Sequence, residues 1–173
     1  MFLELIATIV AGFAAAGLVL IANKLLGGRL PKWFMPVAAA AAMLAATIAN
    51  EYGWFPRTMA TLPDGFEIVE TVENKAMYRP WTYVYPYVER FAAVDTETVK
   101  THPAQPGKRL ADVFYFGRWA PVHQLPVLAD CPGFKRAALT DGVAFGADGH
   151  IDGVDWIPVT GTDPILTAIC GAG

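Results

Sequence analysis

The chain has 173 residues, of which 54% are hydrophobic and 17% charged, whereas about 25% of residues are charged in an ordinary soluble domain. The net charge of −3 gives no basic field for phosphate contacts, so we do not expect a nucleic-acid partner. The apolar excess lies in residues 1–50, where Glu4 is the one acid and every base falls within 24–32. This uneven composition predicts a membrane segment followed by a small domain.

Residues 1–50 predict a helical hairpin with two membrane spans. The apolar runs at about 5–22 and 33–50 hold eighteen residues each, and a helix of that length rises about 27 Å, close to the thickness of a bilayer core. Aromatic residues flank the second run, which favours insertion because such rings settle at membrane interfaces. The alternative, a cleaved signal peptide, is disfavoured because Glu4 stands where a basic residue is required.

Small residues recur at helical spacing in both predicted spans. Such residues let helices pack together in lipid. The sequence leaves open whether they pack within the hairpin or against another protein's helices. The residues in question are Gly12, Ala16, Ala38, Ala42 and Ala45.

The loop 23–32 contains Lys24, Arg29 and Lys32, whereas only Arg57 lies close beyond the second span. Because basic loops stay in the cytoplasm, this loop is predicted to be cytoplasmic and both termini periplasmic, in a bacterial inner membrane. Residues 51–62 would then form a linker and 63–173 an extracytoplasmic domain.

Two cysteines, Cys131 and Cys170, both lie in this predicted exported part. An even pair in an oxidising compartment predicts a disulfide. Two buried free thiols are the alternative, and a cytoplasmic domain would favour them.

The domain is predicted to be mainly β, which makes the whole chain an α+β membrane protein. Aromatic and β-branched runs bounded by turn residues predict four strands, at 66–72, 81–88, 110–116 and 156–160. A short helix is predicted at 134–139.

Aromatic residues crowd the predicted strand 81–88. Strand alternation places four of them on one face: Trp81, Tyr83, Tyr85 and Tyr87. Together with Arg118 and Trp119 they are candidate partner-binding residues. Packing into the core or against lipid headgroups is the alternative for the same face.

Sequence motifs of catalysis are scarce. The sequence contains no serine and no CxxC pair, so a serine triad is excluded and a dithiol redox site is not predicted. The segment 148–155 resembles the start of a calcium loop, but the twelfth position is Val159 where a bidentate glutamate is required. We therefore predict no catalytic residue, no metal and no cofactor.

These features predict a non-catalytic accessory subunit of a larger bacterial membrane complex, of the respiratory or photosynthetic kind. Its expected partners are integral membrane protein subunits and membrane lipids. A transient assembly factor for the cell envelope is one alternative, and a membrane-tethered enzyme with an unrecognised site is another.

Overall fold

The computed structural model describes residues 2–139, 144–145 and 151–172. The chain divides into two compact units, Met1–Thr58 and Met59–Gly173. The first consists of two long apolar helices. The second contains a curled antiparallel sheet and one disulfide, so the predicted order of elements is confirmed at this level.

The helices of the first unit are α1 (Phe2–Leu25) and α2 (Phe34–Met59), and each is long and apolar enough to cross a membrane. α1 ends where Gly27 and Gly28 adopt φ of +69° and +79°, a conformation that glycine enters without steric cost. α2 continues past the predicted span, so most of 51–62 is helical instead of a linker. An apolar run in the sequence predicts only the part of a helix that suits lipid, and the helix itself can continue beyond that part.

The side chain of Met43 on α2 lies over Gly12 of α1, which is buried. A Cβ placed on Gly12 would come within 2.8 Å of Met43 Cγ, so the missing side chain makes room for this contact. Three other small residues of the predicted packing set are half-buried: Ala16, Ala38 and Ala42. Ala45 is exposed, so its side chain is not enclosed within the hairpin.

The second unit is built on a sheet of seven strands among its described residues. In chain order the strands are β1 (Phe66–Asn74), β2 (Tyr87–Asp95), β3 (Lys100–His102), β4 (Gln105–Gly117), β5 (His123–Asp130), β6 (Lys135–Ala138), β7 (Ala144–Phe145), β8 (Ile151–Asp152) and β9 (Ile157–Pro158). The main sheet runs β1-β2-β4-β5-β6-β9 with β3 beside β4, whereas β7 and β8 pair separately. Every pairing is antiparallel.

The predicted strands at 66–72 and 110–116 are confirmed within β1 and β4, and 156–160 shrinks to the short β9. The predicted strand 81–88 is wrong, because Pro80–Tyr83 forms a turn of 3-10 helix and β2 begins only at Tyr87. Pro80, just before this stretch, and Pro86, within it, lack the N–H groups that strand pairing requires.

The predicted helix at 134–139 is also wrong. Its central residues form β6, which pairs with β5 from Asp130 opposite Lys135. Phe134 turns the chain with a φ of +49°. Pairing with two neighbouring strands here overrides the helix propensity of Lys, Arg and Ala.

A third helix, α3 (Pro164–Gly171), covers part of one face of the sheet. Its buried side chains pack against valines of three strands, in a core that includes Ile165, Leu166, Ile169, Val94, Val113 and Val127. The Cys131–Cys170 disulfide joins the end of β5 to this helix, with Cα atoms 5.9 Å apart, which confirms the predicted pairing.

Side chains hold α3 at both ends. At the N-terminus, Asp163 accepts a hydrogen bond from the Leu166 N–H at 2.9 Å and pairs with Arg136 at 3.4 Å. At the C-terminus, Nη1 of Arg109 donates to three carbonyls, those of Ile169, Cys170 and Ala172. A cation at this end also offsets the negative end of the helix dipole.

Arg109→Gln is therefore expected to lower the free energy of unfolding of the second unit by about 2 kcal/mol, because a charge-assisted cap is lost. Arg109→Lys keeps the charge with a single ammonium and should lose less. Thermal unfolding of the full chain in detergent measures both. Equal stability of the glutamine variant and the wild type would show that the cap contributes nothing.

Candidate functional site

The loop between β1 and β2, residues 75–86, is built around Thr82. This side chain is 0% exposed. Its Oγ1 accepts a hydrogen bond from the Ala76 N–H at 3.0 Å and donates one to the Arg79 carbonyl at 2.8 Å. Because the small residues Ala76 and Thr82 fill the inside of the loop, its large side chains are left outside: Tyr78, Tyr83 and Tyr85 are 77%, 58% and 70% exposed.

This loop lies at the same end of the sheet as the connection between β4 and β5. The pairs Asn74–Tyr87, Arg90–Gly117 and Tyr115–His123 place the end of β1, the start of β2, the end of β4 and the start of β5 together. The Arg118 N–H also donates to the Glu89 carbonyl at 3.0 Å, which ties the second connection to β2.

Exposed hydrophobic residues are concentrated at this end. Of the twelve large ones described beyond residue 60, ten lie here, and the other two are Phe134 and Ile157. The ten residues, which we call the aromatic end, are Val72, Met77, Tyr78, Trp81, Tyr83, Val84, Tyr85, Tyr115, Trp119 and Val122. Exposed apolar residues that concentrate in one region are typical of binding surfaces.

Two arginines lie against rings of the aromatic end. The guanidinium carbon of Arg79 is 5.4 Å from the ring centre of Tyr78, and that of Arg118 is 4.6 Å from the ring centre of Trp119. Contacts of this kind hold both partners in place and attract each cation to the ring face. The surface therefore combines apolar area with fixed positive charge.

The predicted partner-binding residues do not lie together on one strand face. Trp81, Tyr83 and Tyr85 are exposed, but on a looped segment instead of one strand face. Tyr87 begins β2 and is only 8% exposed, so it belongs to the core and not to the exposed aromatic end. Arg118 and Trp119 come from the β4–β5 connection and lie at the same end of the sheet.

A cavity of about 410 Å³ adjoins the aromatic end, and the sequence did not predict it. Four polar residues from four strands line it: Glu70, Arg90, Tyr115 and His123. They are scattered along the sequence, and only the strand register brings them together. No motif spacing marks such an arrangement.

Among the described residues there is no group of three or more histidine, cysteine or acidic side chains suited to hold a metal ion. Residues 148–150, where the sequence resembles the start of a calcium loop, lie outside the described part of the chain.

Comparison of the chain with protein-family models, curated proteins and solved structures found no significant match.

Thr82→Val is expected to release the loop at the aromatic end, because the Ala76 N–H would lose its buried acceptor at a cost of about 1–3 kcal/mol. We expect the backbone amide of Ala76 to exchange its hydrogen faster in this variant. Thr98→Val is the matched control, because Thr98 is exposed. Unchanged exchange at Ala76 in the Thr82 variant would contradict the anchoring role.

Proposed function

We propose that this chain is a non-catalytic accessory subunit of a larger membrane protein complex, docked on its host through the aromatic end. The observation that carries the proposal is the concentration of ten exposed hydrophobic residues at one end of the sheet. Interfaces between proteins are enriched in tyrosine, tryptophan, methionine and arginine. Seven of the ten residues of the aromatic end are tyrosine, tryptophan or methionine, and two arginines contact its rings.

We further propose that α1 and α2 anchor the chain in a membrane. Their large apolar side chains are turned outward, as at Phe13 and Leu18, which are 75% and 67% exposed. A helix in the core of a soluble protein buries such residues, whereas lipid covers them without penalty. The length and composition of both helices fit a bilayer.

The proposed orientation has both chain ends in the periplasm of a bacterium and the basic loop in the cytoplasm. The charges of Lys24, Arg29 and Lys32 support it through the preference of basic loops for the cytoplasmic side. The disulfide supports it independently, because such bonds persist in oxidising compartments. A respiratory or photosynthetic host stays a prediction from the two-span layout.

The test is mild solubilisation of the native membrane, followed by native electrophoresis and mass spectrometry of the co-migrating proteins. We expect the full chain to migrate in stoichiometric amounts with larger integral membrane proteins. Truncating two exposed tyrosines, Tyr83→Ser with Tyr85→Ser, should abolish co-migration if they are hot spots of the interface, because truncating a hot-spot residue costs about 2 kcal/mol or more.

Ile157→Ser is the control, because Ile157 is 56% exposed, close to the 58% of Tyr83, but lies away from the aromatic end. This variant should co-migrate as the wild type does. A wild-type chain that migrates alone would refute the accessory role, and sub-stoichiometric association would favour the transient assembly factor. Co-migration of the double-serine variant would show that the aromatic end is not the docking surface.

A further inference from the structure

The cavity beside the aromatic end lies on the sheet face that α3 covers farther along the strands, and Ala92 belongs to both regions. Two rows of paired residues line the cavity. The first row is Glu70, Ala92, Tyr115 and His123, and the second is Val72, Arg90 and Gly117. Paired residues of antiparallel strands project to the same side of the sheet. The two rows lie two positions apart along each strand, so both face the cavity.

A small residue in each row leaves space for the cavity. Ala92 lies between Glu70 and Tyr115 in the first row, and Gly117 ends the second row beside Arg90. A Cβ on Gly117 would come within 3.0 Å of the Ala120 Cβ, so glycine lets the β4–β5 connection close one side. The resulting volume of about 410 Å³ suits a small organic molecule.

The cavity carries one charge of each sign on mostly apolar walls. Glu70 and Arg90 lie on adjacent rows as diagonal neighbours, a relation that separates Cα atoms by about 7–8 Å. Neither forms a salt bridge with any described residue. Between and around them lie the apolar side chains of Val72 and Pro121 and the ring of Tyr115.

From this arrangement we infer that the cavity binds a small zwitterion with an apolar body, the chemistry of a free apolar α-amino acid. The ligand's carboxylate pairs with Arg90, its ammonium pairs with Glu70, and its side chain packs on Val72, Pro121 and Tyr115. A simple carboxylate would meet the like charge of Glu70, and a simple amine that of Arg90. The inference goes beyond the proposed function and does not require the host complex.

The test uses the full chain in lipid nanodiscs, with histidine ring carbons labelled for NMR. The sequence has three histidines. His123 lines the cavity, whereas His102 is exposed on β3 and serves as the internal control. L-leucine is the probe, compared with 4-methylpentanoate, which lacks the ammonium, and 3-methylbutylamine, which lacks the carboxylate.

We expect L-leucine to shift the His123 signals to saturation without moving those of His102. Each analogue should bind about five-fold more weakly, because it forms one ion pair fewer and both cavity charges are exposed to solvent. Glu70→Gln should raise the Kd for L-leucine about five-fold and remove its advantage over 4-methylpentanoate. Ala120→Trp should block the response by filling the cavity, whereas Ala104→Trp, at an exposed position on another connection, should leave it intact.

Three results would overturn the inference. One is no shift of His123 at about 50 mM L-leucine, a concentration that saturates a site with a millimolar Kd. Another is equal binding of L-leucine and both analogues, which would mean that the two charges play no part. The third is a parallel shift at His102, which would reveal non-specific binding.

Discussion

Replacing both half-cystines, Cys131→Ala with Cys170→Ala, is expected to lower the free energy of unfolding of the second unit by about 4 kcal/mol. The bond joins residues 39 positions apart, so its removal frees a long loop in the unfolded chain. For a domain of this size the midpoint of thermal unfolding should fall by roughly 15–25 °C. The effect is large because the bond holds α3, whose Ile165, Leu166 and Ile169 complete the core.

Thermal unfolding of the full chain in detergent, followed by circular dichroism in the β-sheet band, measures this change. Wild-type protein treated with a reductant should unfold at the temperature of the double variant. The single variant Cys131→Ala should match it, because one cysteine cannot form the bond. An unfolding midpoint that does not change on confirmed reduction would mean that Arg109 and Asp163 suffice to hold α3 in place.

The sequence was sufficient to predict features that depend on composition and on local pattern. Two uninterrupted apolar runs predicted the two helices, and a pair of cysteines predicted the disulfide. Runs of aromatic and β-branched residues at 66–72 and 110–116 predicted β1 and β4. In each case the signal lies within a few neighbouring residues or in a count.

The missed features depend on contacts distant in sequence. The segment 81–88 alternates like a strand, yet Pro80 before it, Pro86 within it and the buried Thr82 fold it into a loop that exposes three of its four aromatic residues. The cavity depends on the register of four strands. This register places Glu70 and His123 in the same row of paired residues, although they are 53 positions apart in the sequence. No local pattern encodes that register, because the alignment of the four strands depends on pairings between segments distant in sequence.

In spheroplasts that carry the full chain, a membrane-impermeant maleimide is expected to label Ala104→Cys and not Leu26→Cys. Both positions are exposed, and neither needs the positive φ that makes Gly28 unsuitable for substitution. Ala104 lies between β3 and β4 of the domain, whereas Leu26 lies in the basic loop. The proposed orientation places that loop in the cytoplasm, so only the domain should meet the reagent. Permeabilised membranes should label both positions.

The chain without an added cysteine provides the control, because its disulfide should leave no thiol to react. Replacing the loop bases, Lys24→Gln, Arg29→Gln and Lys32→Gln, should give mixed labelling, since these charges are the main determinant of orientation. Labelling at position 26 with protection at 104 would place the domain in the cytoplasm. The disulfide would then have to survive in a reducing compartment, and the stability it provides would be available only after export or oxidation.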